Sequence, residues 1–139
     1  MTDYRLAVIP AAGRGARLDR PNTPKPLVDV GGKPLILNIL SRLENAGVER
    51  AVVLTGYEGK RVARELTNHP DLTLEVECVE SPEWERGLAS TLFAARQHVD
   101  APFVLAMADH IFEQESVDAF LDESKQDARM LVDETVDSV

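Results

Sequence analysis

Arg14, Arg17 and Lys25 lie close together around two glycines and between prolines. The run is Val8-Ile9-Pro10-Ala11-Ala12-Gly13-Arg14-Gly15-Ala16-Arg17-Leu18, then Thr23-Pro24-Lys25-Pro26-Leu27. Successive backbone N–H groups form a concavity that holds anions. Glycine lets the backbone approach a ligand closely. Guanidinium and ammonium groups add charge-assisted hydrogen bonds to phosphate oxygens. Pro10, Ala11, Ala12, Gly13 and Gly15 are therefore read as a phosphate-holding loop. Arg14, between the glycines, is read as a ligand contact, and Arg17 divides between phosphate binding and structural pairing. The prolines beside Lys25 stiffen its loop, so its ammonium can serve as a point charge toward phosphate; the alternative is an exposed turn lysine. Asp109 is the other centre of interest. It follows an apolar run, Phe103–Met107, by two residues, where it can present carboxylate oxygens to a cleft. Magnesium favours one or two carboxylates plus phosphate oxygens and water. A turn or cap aspartate is the alternative.

Two better-known phosphate loops do not fit. The dinucleotide fingerprint G-x-G-x-x-G opens directly into a helix. Gly13 and Gly15 match, but Leu18 stands where the third glycine belongs, and Pro21 and Pro24 would break the helix. The P-loop triplet G-K-[S/T] does not occur. A further small-residue turn, Gly87-Leu88-Ala89-Ser90-Thr91, could let a flat base approach Gly87 and Ala89, with Ser90 donating or accepting a hydrogen bond. Its plain alternative is a helix N-terminus. His110 either touches substrate or orients its loop. Glu85 and Arg86 could reach a second substrate. Trp84 reads as a packing residue, His69 and His98 as surface residues, and Cys78 as a small core residue.

Alternating strands and helices position these residues. Leu6–Ile9 is a strand. Pro34–Ala46 is a helix, with Leu35, Ile36, Ile39, Leu40 and Leu43 on one face and Gly47 as its stop. Ala51–Thr55 is a strand and Glu58–Thr67 a helix with Val62 and Leu66 inward. Leu72–Val79 alternates as a strand. Trp84–His98 contains a helix starting near Leu88. Phe103–Met107 is a strand, Glu115–Ser124 a helix, and Arg129–Asp133 starts a fifth strand. This order implies an α/β fold with right-handed crossovers and a mostly parallel sheet. Ligands of such sheets lie at the carboxyl ends of the strands. The glycine loop, the Gly87 turn and Asp109 all fall there.

Bulk properties narrow the class. The chain has 139 residues and 44% hydrophobic content, ordinary for one globular domain. One cysteine excludes an internal disulfide and fits a reducing compartment, so a cytoplasmic location is expected. Neither a signal peptide nor an apolar run of membrane-spanning length is read. The net charge is −9, yet residues 1–33 hold six Lys/Arg against three Asp/Glu; that net +3 leaves −12 for the remainder. Positive charge is concentrated at the glycine loop, and an acidic remainder argues against nucleic-acid binding.

The glycine loop with Pro24-Lys25-Pro26-Leu27 resembles the signature of the nucleotidyltransferases that make sugar-nucleotides and related CDP- or UDP-activated compounds. Ala106-Met107-Ala108-Asp109-His110-Ile111-Phe112 resembles the aspartate region of one branch, the inositol-1-phosphate cytidylyltransferases. The resemblance covers nearly the whole chain, in order. It implies a Rossmann-like three-layer sandwich of the nucleotide-diphospho-sugar transferase type. Residues 1–139 would be its N-terminal, nucleotide-binding part, C-terminally truncated relative to longer family members. It also implies transfer of CMP from CTP to a phosphorylated acceptor, inositol 1-phosphate, with Mg2+ held by Asp109 and with Lys25, Arg14 and Asp109 catalytic. Nucleotide contacts would come from Pro10–Gly15, Lys25, Gly87, Ala89, Ser90 and Asp109. Family members take a second acidic metal ligand from beyond this chain, and neither Asp133 nor Asp137 is identified with it. Sugar-1-phosphate, phosphocholine or molybdenum-cofactor nucleotidyl transfer, or a non-catalytic nucleotide-binding module, are the alternatives. The edge after Val132 could pair with a second copy, giving a homodimer.

Overall fold

The computed structural model describes residues 4–13 and 23–122. Arg14, Gly15 and Arg17, the expected fifth strand at Arg129–Asp133, and Asp133 and Asp137 lie outside the described residues. The elements run β1 (Leu6–Ala11), a 3-10 turn (Lys25–Leu27), β2 (Asp29–Val30), β3 (Lys33–Pro34), α1 (Leu35–Ala46), β4 (Arg50–Thr55), α2 (Gly59–Leu66), β5 (Glu75–Glu80), a second 3-10 turn (Trp84–Arg86), α3 (Leu88–Phe93), β6 (Phe103–Leu105) and α4 (Gln114–Asp122).

Among the described residues four parallel strands form the sheet, in the order β5-β4-β1-β6. The chain winds outward from β1 through β4 to β5, then crosses back to place β6 on the other side of β1. Right-handed crossovers then require a change of face where the winding direction reverses. The core shows this. Ala7, Ile9, Ala11, Ala51 and Val53 point to the face covered by α1, α2 and α4, where Ile36, Leu40, Val62, Leu66, Val117 and Leu121 pack. Leu6, Val8, Val52 and Leu54 point to the opposite face, against Leu92 and Ala95 of α3 and the segment after it. The result is a three-layer α/β sandwich on a parallel sheet, the Rossmann-like architecture expected.

Local chemistry sets the ends. α1 begins after Pro34, which takes the N-cap position, and stops at Gly47 with φ 108°, whose N–H bonds the carbonyls of Glu44 and Leu43. The strand expected at Leu72–Val79 begins instead at Glu75. Its apolar alternation extends back through a turn in which Glu44 accepts hydrogen bonds from Thr73 and Leu74. The helix expected within Trp84–His98 starts at Leu88 as read and ends at Phe93, and i to i+3 turns follow through Ala94, Ala95, Arg96 and His98. β6 is shorter than Phe103–Met107, so Asp109 stands four residues beyond its end. The hairpin of β2 and β3, turning through Gly31 and Gly32, is an element the sequence reading did not anticipate.

Candidate nucleotide cleft

A cleft of 250 Å³ opens at the carboxyl ends of the strands, between the loops that follow β1, β5 and β6. This is where the winding direction reverses, and open α/β sheets bind ligands at such a switch point. Its walls hold Pro10, Ala11, Ala12 and Gly13 after β1, Lys25 and Pro26, Trp84, Gly87, Leu88 and Thr91, and Met107, Ala108 and Asp109. Of the residues expected to share a site, Pro10 to Gly13, Lys25, Gly87 and Asp109 meet here.

Lys25 and Asp109 do more than share a wall. Lys25 Nζ donates to Asp109 Oδ2 at 2.8 Å, across 84 residues of sequence. The 3-10 turn fixes the lysine backbone: Leu27 N bonds Pro24 O at 2.9 Å, Val28 N bonds Lys25 O at 3.2 Å, and Pro24 and Pro26 are buried. The hydrogen bond from Lys25 holds the Asp109 carboxyl below the usual carboxylate range against the opposing effect of partial burial, and His110 adds a smaller pull. His110 Nδ1 lies 3.5 Å from Asp109 Oδ1. Both partners of the lysine pair are over a third exposed (37% and 36%), so screening limits its contribution to stability to about 0.5 kcal/mol.

The wall after β5 differs from the sequence reading. Ala89 and Ser90 do not line the cleft, whereas Gly87, Leu88 and Thr91 do. A helix advances 100° per residue, so positions three and four apart share a face and the two between them turn away. Thr91 is buried, and its hydroxyl donates to Gly87 O at 3.2 Å. Gly87 has φ 109° and ψ −172°, a backbone region reserved almost wholly for glycine. It is this backbone shape that calls for glycine, since an added Cβ would meet no atom within 4 Å. Trp84 is partly buried and lines the cleft, while also packing on Gly56 and lying 6.3 Å, ring to ring, from Tyr57. Glu85 and Arg86 are exposed and outside the cleft lining, with Arg86 paired to Glu83 at 3.2 Å. His69 and His98, expected at the surface, are both partly covered. His98 Nδ1 is 2.8 Å from Glu77 Oε1, because α3 and the turns after it fold back over the sheet face that Glu77 shares. Cys78 is only partly buried, since β5 is the sheet edge. Leu35, Trp84 and Thr91 also line the cleft, which the sequence reading did not expect; a helical phase count from Gly87 would have found Thr91.

As a donor set for a divalent cation the cleft offers the Asp109 carboxylate. Among the described residues no group of three or more His, Cys, Asp or Glu gathers around a point. Magnesium takes one or two carboxylates and completes its shell with phosphate oxygens and water, and the carboxylate on this cleft wall is that of Asp109. Among the described residues no helix is long and apolar enough to cross a membrane.

Known proteins are similar to this chain in sequence and in fold. The chain is 34% identical over 134 residues to the UTP–glucose-1-phosphate uridylyltransferase AglF of Haloferax volcanii, covering 92% of this chain and 54% of that protein. It is 38% identical over 112 residues to the bifunctional IPC transferase and DIPP synthase of Rubrobacter xylanophilus, covering 80% of this chain and 25% of that protein. The inositol-1-phosphate CTP transferase structure from T. maritima superposes with a TM-score of 0.78 at 26% identity, over 88% of this chain and 50% of that one. HddC from Yersinia pseudotuberculosis, complexed with GMP-PN, superposes at 0.67 and 26%, over 78% and 48%. The chain thus spans about half the length of AglF and of these structures. Residues 7–137 match the MobA-like NTP transferase domain, and with the sheet order, the cleft and the converging Lys25 and Asp109 already described, the chain belongs to that family.

Proposed function

We propose that the chain serves nucleotidyl transfer from a nucleoside triphosphate to a phosphorylated acceptor. An acceptor phosphate oxygen attacks the α-phosphorus in line, the bond to the bridging β-phosphate oxygen breaks, and pyrophosphate leaves. The acceptor is already anionic near neutral pH, so the protein is asked for positioning and charge neutralisation. The backbone of Pro10–Gly13 and the Gly87 turn cradle the nucleotide. Lys25 binds phosphate oxygens, joined by Arg14 from the same glycine loop. Asp109 holds Mg2+, which when bound neutralises phosphate charge. The observation that carries this reading is the meeting of Lys25 and Asp109 at 2.8 Å on the wall of the strand-end cleft.

Our reading of the substrates is CTP and inositol 1-phosphate, giving CDP-inositol. The Ala106–Phe112 run supports it, as does similarity to the T. maritima and Rubrobacter proteins. Similarity to AglF over 92% of this chain favours a second reading, UTP with a sugar 1-phosphate. Pyrophosphate release by the full chain with Mg2+ separates them, using CTP, UTP, GTP or ATP against inositol 1-phosphate or glucose 1-phosphate. Release with CTP that requires inositol 1-phosphate is expected. Release confined to UTP and glucose 1-phosphate would replace the first reading with the second. Asp109→Ala should lower turnover at least about 100-fold with its melting temperature within a few degrees of the parent. Undiminished turnover in that variant would remove Asp109 from the mechanism.

A further inference from the structure

We infer that Lys25 and Asp109 form a latch that keeps free divalent cations off Asp109 and admits a metal only together with a triphosphate. The inference rests on the nucleotidyl-transfer reading and adds an order and a sign to it. The Lys25 ammonium sits on Asp109 Oδ2 at 2.8 Å, and His110 Nδ1 stands 3.5 Å from Oδ1. Each carboxylate oxygen that a cation needs therefore already faces a nitrogen. Lys25 is pinned at its backbone by the proline-flanked turn, so only its flexible stem can move. A bare cation would have to displace an ammonium and then sit beside its positive charge. A triphosphate entering the same cleft offers that ammonium other oxygens. Asp109 is then released toward the metal, and the metal in turn offsets the repulsion between Asp109 and the phosphates. Coupling of this kind is reciprocal by thermodynamic necessity.

The latch makes a prediction opposite to that of two independent ligand contacts. Removing either partner should tighten binding of the other partner's ligand. Mn(II), which stands in for magnesium, is titrated into the ligand-free full chain, with free Mn(II) counted by electron paramagnetic resonance. Lys25→Met should bind Mn(II) about fivefold more tightly than the parent at one site. The charge-preserving Lys25→Arg should stay at the parent level. Adding Asp109→Asn to Lys25→Met should abolish the gained site. In a second arm, metal-free CTP in EDTA is titrated by calorimetry. There Asp109→Asn should bind CTP about fivefold more tightly than the parent. A CTP-binding parent chain whose Lys25→Met variant shows no gain for Mn(II), or whose Asp109→Asn variant shows no gain for metal-free CTP, overturns the latch alone. A parent chain that binds none of the four nucleoside triphosphates, with or without metal, overturns the nucleotidyl-transfer reading and the latch with it.

Discussion

Replacing Gly56 by alanine should force Trp84 out of its position in the cleft wall. Gly56 directly follows β4, and the indole occupies the space its side chain would need. An added Cβ would lie 2.4 Å from Trp84 Cγ, 2.7 Å from Cβ and 2.8 Å from Cδ1. Carbon atoms rest at about 3.5–4.0 Å, so the overlap is roughly 1 Å or more. It falls at the root of the tryptophan side chain, where changing its rotamer gives no relief. The turn Trp84–Arg86 must shift instead. Overpacking of this kind costs about 1–3 kcal/mol, and a short exposed turn yields more readily than a strand, which puts the cost near 2 kcal/mol. For a chain of this length each kcal/mol is worth roughly 3–5 °C, so the melting temperature should fall by about 8 °C. The chain has one tryptophan, so its intrinsic emission reports the displacement without a label, and affinity for the nucleoside triphosphate of the proposed function should weaken in parallel. An unchanged melting temperature with an unchanged emission maximum would refute the steric argument.

Three further outcomes follow from other parts of the fold. Gly87→Ala should cost about 1–3 kcal/mol, because φ 109° with ψ −172° is open to glycine while no neighbouring atom lies within 4 Å of the new Cβ; wild-type stability in a urea titration would show that the backbone relaxes freely. Burial of Glu44 works against its charge but is outweighed by hydrogen bonds from the Thr73 hydroxyl and from the amides of Thr73 and Leu74, so its carboxyl sits below its ordinary 4.5. Stability from a carboxylate lowered on folding is present above the unfolded value and lost as pH falls through the folded one. Glu44→Gln should therefore cost about 1 kcal/mol at pH 7 and progressively less toward pH 3, and a penalty constant across that range would count against the reasoning. Burial, then the neighbouring Glu77 carboxylate, pushes the Cys78 thiol up to about 11. At pH 8 it should react with a disulfide reagent at least about tenfold more slowly in the native chain than in urea, and equal rates would contradict its placement on β5.

The sequence was most readable where one residue type has one structural use. Gly47 stops α1 because its φ of 108° suits glycine, and the apolar stripe of that helix is the buried face found in the core. β1 and β4 lie within a residue or two of their expected limits because central parallel strands are apolar on both faces. Reading failed where a pattern ran on past the hydrogen bonds that define an element. Leu72 and Leu74 continue the alternation of β5, yet Glu44 captures the amides of Thr73 and Leu74, and pairing with β4 begins at Glu75. Ala89 and Ser90 have the composition expected of a base-facing wall, but helical phase turns them from the cleft and brings Leu88 and Thr91 to it. Composition records what a residue can do; which way it faces depends on where its helix starts, and Gly87 sets that start.

The convergence of Lys25 and Asp109 shows the same limit at the scale of the fold. Each could be singled out by its neighbours in sequence, the lysine by its prolines and the aspartate by the strand before it. Neither context says that the two should touch. Contact depends on β6 lying beside β1, and β6 lies there because the chain reverses its winding after β5. Had it continued outward past β5, Asp109 would end a strand separated from β1 by β4 and β5, at the sheet's 4.7–4.9 Å per strand, and a lysine side chain could not bridge the gap. The reversal also moves the helix after β5 to the opposite face, which is why Gly87, at its start, meets the loop after β1 across the cleft. One topological event thus opens the cleft and brings its charged pair together. Substitutions that loosen the seating of β6 on β1, at Val104 or Ala106, should therefore weaken the cleft even though neither side chain lines it.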